Sequence, residues 1–177
     1  MTDKQQAESM VDRTGDALFQ FAIDRNDMHA ILDALPPTAA DKRSQLEYEI
    51  QLLRIVAVGW AITYYLADHA VKTTLGQYYW EAVRSLSATL STSASTAAGA
   101  EVDYFDIIRQ RMDHYVKALD AAGQITDPTL AIGPAFAEAS GDRDDACAML
   151  AGSKMFAHTI RSVRDHLDTA VARQDNV

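Results

Sequence analysis

The chain has 177 residues, 48% apolar and 23% charged, with 16 basic and 25 acidic side chains and a formal charge of −9. That composition excludes a disordered polymer, which lacks the apolar residues to bury, and argues against a nucleic-acid surface, which needs clustered Lys and Arg. The one cysteine, Cys147, excludes an internal disulfide and every zinc or redox site built on paired thiols.

Apolar periodicity takes the chain into the all-α class. Val11, Leu18, Phe21, Met28, Leu32 and Leu35 step by three, four or seven, which puts them on one face of a first helix. Pro36-Pro37 ends that helix, because the residue before a proline leaves the α region. The polar start of the chain lacks the basic and apolar segments of an export signal, so a cytoplasmic location is expected.

Thr38, followed by Asp41, predicts the N-cap of a second helix over about 39–70. In its first half Glu47, Glu49 and Gln51 alternate faces with Leu46, Ile50 and Leu53. Its second half contains an uncharged run, residues 55–67, that is shorter than the roughly 20 residues a bilayer span needs. A helix that is apolar all round must be surrounded by other elements, so residues 40–70 are expected to form the central buried helix. Arg54 sits in that apolar context and must either reach the surface by its long stem or find a carboxylate; Glu47, Glu81 and Asp106 are the candidates, an ion pair being favoured over an anion site.

A third helix is expected from the capping-box spacing Thr74-Leu75-Gly76-Gln77, with Leu75, Tyr78/Tyr79, Ala82/Val83, Leu86 and Leu90 on its inner face. Residues 91–99 are small and rich in hydroxyls that compete with the backbone, which predicts a mobile connection or a frayed helix end. A fourth helix follows over about 101–121, with Val102, Phe105, Ile108, Met112, Tyr115 and Leu119 inward and Gly123 at its stop. Asp127-Pro128 and Gly133-Pro134 each start a short turn of helix, the second ending at Ser140-Gly141. Asp142 caps a last long helix, which carries Met149, Ser153, Phe156, Ile160, Val163, Leu167 and Ala170 inward and a bend at Gly152. The fold expected is a compact helical bundle of about five long helices plus one or two short ones, in one domain over 1–177.

The sequence holds no HExxH, GxSxG, GxGxxG, P-loop or Glu-x-x-His signature, so no catalytic residue, metal ligand or cofactor is assigned. His29 with Asp33, Arg161 with Asp165 and Arg164 with Asp168 read as surface pairs at i,i+4. Polar chemistry meets the deeply apolar region at the junction of the second and third helices. Trp60, Tyr64 and Asp68 share one helical face, Tyr65 and His69 the adjacent one, and Tyr78 and Tyr79 follow on the returning helix. Folded back, the aromatics would wall a pocket for a small apolar or aromatic ligand, with Asp68 and His69 at its mouth as charge or hydrogen-bond partners; alternatively the rings fill the core and only their polar tips reach out. Several helices carry apolar stripes, so the reading favoured for the whole chain is a non-catalytic protein-interaction module, pairing with a protein partner or with itself as a homodimer, and touching neither nucleic acid nor membrane.

Overall fold

In a computed structural model the described residues are 3–36, 41–99, 101–123 and 127–174. They are helical, with no strand among them: α1 (Asp3–Ile23), α2 (Asn26–Asp33), α3 (Arg43–Tyr65), α4 (Lys72–Ala98), α5 (Tyr104–Ala121), α6 (Thr129–Ala139) and α7 (Ala146–Gln174). No described helix is long and apolar enough to cross a membrane. The contacts sort into two compact units. One comprises Met1–Ala22, Val58–Ile107 and Ile160–Val177, the other Ile23–Ala57 and Ile108–Thr159, so α3, α5 and α7 contribute residues to both, as does α1 through Ile23. In the first unit Leu18, Ala61, Ile62, Leu75, Tyr79 and Val163 lie at the centre; in the second Met28, Ile50, Leu53, Phe136, Met155 and Phe156 do.

The first expected helix is two helices. Val11, Leu18, Met28 and Leu32 are buried as their spacing requires, yet the helix breaks at Asp24 and Arg25. The Asp24 carboxylate accepts the Asn26 N–H at 3.1 Å, and the Asp24 carbonyl, which a continuous helix would offer to Met28, accepts Arg54 Nη1 at 2.6 Å. A side chain 30 residues away thus decides where α1 stops.

The central segment behaves as its composition demands over residues 52–59, every one of which is buried. Burial does not extend through the whole stretch 55–67: Thr63, Tyr64 and Ala67 are exposed, and α3 spans Arg43–Tyr65 instead of about 39–70. Thr38 lies outside the described residues. Glu49 departs from the expected polar face and is buried, through a contact with α5.

α4 starts at Lys72, ahead of the expected capping box, and no side chain of its own cap residue bonds its first turn. His69 Nδ1 accepts the Val71 N–H at 3.2 Å instead. At the other end residues 91–98 continue α4 rather than forming a connection. Their hydroxyls bond back along the helix, Thr92 to the Ala88 carbonyl at 2.9 Å and Thr96 to that of Thr92 at 2.8 Å. Two of them serve the next element: Ser95 Oγ accepts the Val102 N–H and Ser91 Oγ that of Tyr104, each at 3.0 Å. Gly99, at φ +66°, turns the chain out of α4 in a left-handed conformation that a Cβ would oppose. Gly123, at φ +58°, closes α5 in the expected way.

The two short turns expected after Asp127 are one helix, α6, with Pro134 inside it. Asp127 Oδ1 accepts both the N–H and the hydroxyl of Thr129, as an N-terminal acid should. Proline removes the bond to the Leu130 carbonyl, and Leu130 is 65% exposed, so water can replace the missing donor. Gly152 marks a close approach in an unbroken α7: a Cβ there would lie 2.5 Å from Cβ and Cγ of Phe136. The buried line on α7 runs through Ala148, Ala151, Met155, Phe156, Thr159, Val163 and Leu167, rotated slightly from the expected face; Met149, Ser153 and Ile160 flank it half-buried.

The cap of α7 is Asp145, whose carboxylate accepts the N–H groups of Cys147 and Ala148 at 2.9 and 3.1 Å; Asp142 instead bonds the N–H of Asp144 within the preceding turn. Lys42 Nζ donates to Asp145 at 2.8 Å, and this bond, followed by the one from Ala148, holds the carboxyl below the usual carboxylate range. A depressed carboxyl contributes stability that is present above its unfolded pKa and lost as pH falls through its folded value. Asp145→Asn keeps the capping oxygen and loses the charge. The melting-temperature gap between wild type and this variant is therefore expected at neutral pH and should close as pH falls below about 4. A gap unchanged in acid would remove the ion pair from the account.

Candidate functional site: the aromatic face of α3

α3 loses its polar neighbours gradually, and its last turn carries Trp60 and Tyr64 at i,i+4, stacked along the helix surface. The ring centroids are 4.7 Å apart and the planes 14° from parallel. Tyr65 meets Tyr64 edge-on, with centroids 5.3 Å apart. The outer ring, Tyr64, is 61% exposed, whereas Trp60 and Tyr65 are half-buried. Burial raises the Tyr65 hydroxyl above its ordinary pKa, with Arg164 of α7 opposing and Tyr64, Asp168 and Asp165 adding to the rise. The face is thus apolar and aromatic, bordered by an Arg164–Asp168 pair whose N···O distance is 3.7 Å.

The remaining four of the seven expected site residues diverge from this face. Asp68 is exposed in the turn after α3. His69 builds that turn, its N–H donating to the Leu66 carbonyl and its carbonyl accepting the Lys72 N–H, in addition to the ring bond to Val71. On α4, successive side chains point about 100° apart, so Tyr78, Tyr79 and Trp80 cannot line one wall. Tyr78 lies over Gly15 of α1 and donates its hydroxyl hydrogen to Asp16 at 2.6 Å. Tyr79 is fully buried, edge-on to Trp80 with centroids 5.4 Å apart, and Trp80 itself lies against Gly59. The structure therefore groups Trp60, Tyr64 and Tyr65 and assigns Tyr78, Tyr79 and His69 to packing and turn formation.

Two polar clusters sit in the second unit. Arg54, 1% exposed, donates Nη2 to Asp27 Oδ2 at 3.0 Å and Nη1 to the Asp24 carbonyl. The same Asp27 oxygen lies 3.1 Å from His158 Nε2. Arg54 is thus in an ion pair with Asp27, which was not among the three candidates, and Glu47 faces Arg25 and His29 at 3.6 and 3.7 Å. Asp33 likewise pairs with Arg43 at 2.5 Å rather than with His29.

In the second cluster Arg111 of α5 binds the buried Glu49 of α3 in a two-pronged contact, Nε to Oε2 at 2.8 Å and Nη2 to Oε1 at 2.6 Å. That fork is the geometry a guanidinium prefers with a carboxylate. Nothing in the local pattern around Glu49 announces it, since the partners are 62 residues apart. Tyr115, one turn beyond Arg111, is 2% exposed and its hydroxyl has no hydrogen-bond partner among the described residues; burial, with the nearby Glu49 charge, holds its pKa far above the ordinary tyrosine value. A buried hydroxyl without a partner costs about 1–3 kcal/mol. Tyr115→Phe is therefore expected to leave stability unchanged or raise it by about 1 kcal/mol in denaturant unfolding. A loss of that size would show that the hydroxyl is satisfied in solution.

Among the described residues no group of three or more His, Cys, Asp or Glu could hold a metal ion. Cys147 is half-buried in the first turn of α7. Comparison of the chain with protein-family models, with curated proteins and with solved structures finds no match.

Proposed function

We propose that the chain is a non-catalytic association module that pairs with a second copy of itself through the Trp60, Tyr64 and Tyr65 face of α3. The observation that carries this reading is the placement of Tyr64, a large ring left 61% exposed while stacked on Trp60. Trp and Tyr are the residue types that anchor protein contacts, because each contributes a wide apolar surface at a small cost in side-chain entropy. A second copy is the favoured occupant because the border of the face carries both signs of charge, in Arg164 and Asp168. A two-fold axis through such a face sets each residue against the other in the partner. A reducing cytoplasmic setting fits the single cysteine, and the charge of −9 speaks against nucleic acid as the partner.

Light scattering coupled to size exclusion tests the proposal. The expected mass is about twice the 19.4 kDa of one chain. Tyr64→Asp, which places a charge in the middle of the face, should return the mass of a single chain with unchanged helical circular dichroism. A wild-type monomer at micromolar concentration, or a dimer indifferent to Tyr64→Asp, would overturn it. The flat Trp60–Tyr64 stack also favours a second reading, in which a planar aromatic ligand lies on the exposed ring. Saturable binding of indole in isothermal titration calorimetry of a monomeric wild type, absent from Tyr64→Asp, would support that reading in place of the first.

A further inference from the structure

We draw no further inference here: the strongest candidate, the apolar surface that Leu130 exposes on α6 at 65%, is an unpartnered face with nothing in the structure to show what covers it.

Discussion

Asp27→Ala is expected to destabilise the protein by about 3 kcal/mol, lowering the melting temperature by roughly 6–12 °C for a chain of this size. Arg54 is the reason. Its guanidinium stays protonated at any working pH, and at 1% exposure it cannot recruit water to replace the carboxylate it loses. The Asp24 carbonyl, accepting Nη1 at 2.6 Å, remains but carries no full charge. The complementary change separates a stranded charge from a lost contact. Arg54→Met removes the charge and keeps most of the apolar volume, and Asp27, 40% exposed, is left with access to water. Arg54→Met should therefore cost less than half as much as Asp27→Ala, and once Arg54→Met is in place, adding Asp27→Ala should cost much less than it does in the wild type, because only the His158 contact is then left to lose. Equal and additive losses in the two variants would show that the pair does not couple, and the account of Arg54 would fail.

Phe136→Ala is expected to cost about 3–5 kcal/mol, the usual range for emptying a fully buried aromatic site. Phe136 is wholly inaccessible and lies over Gly152, where the absence of a side chain lets the ring approach α7. The glycine makes the converse test. In an exposed helix interior Gly→Ala gains up to about 1 kcal/mol, but here the new Cβ would meet Cβ and Cγ of Phe136 at 2.5 Å. Gly152→Ala should therefore be destabilising by about 1–3 kcal/mol, the usual cost of overpacking. Combined with Phe136→Ala it should cost less, because the ring is gone, but it should not become favourable, because the Cβ contact survives. Denaturant midpoints with unchanged slopes would establish both losses. A stabilising Gly152→Ala would show that α6 and α7 sit farther apart than described.

These two sites also mark how differently parts of the chain could be read in advance. The run from Leu52 to Gly59 has no polar face, so its burial followed from residue types alone, without knowledge of what covers it. The stacking of Trp60 on Tyr64 was foreshadowed in the same way, since residues four apart on a helix are neighbours. Gly123 was legible because a left-handed stop favours the residue without a Cβ. The hydroxyl-rich stretch 91–98 misled for a physical reason: the same Ser and Thr side chains that can unravel a helix can also bond back to it. Which outcome prevails depends on the entry into α5, where Ser95 accepts the N–H of Val102 and Ser91 that of Tyr104. Glu49 looked solvated because its neighbours alternate in polarity, and nothing nearby signals an arginine 62 positions on.

Helix content, the apolar stripes and the buried middle of α3 are properties of side chains within a turn or two of each other, and hydrophobic sorting at a period of 3.6 residues writes them directly into the order of amino acids. The break between α1 and α2, the partners of Arg54 and Glu49, and the divergence of Tyr78 and Tyr79 from the Tyr64 face arose from contacts between segments distant in the chain. Such contacts depend on which helix faces meet once the core closes. A buried charge or an unclaimed carbonyl accepts whatever complementary group packing delivers to it, and no local pattern records which one that will be.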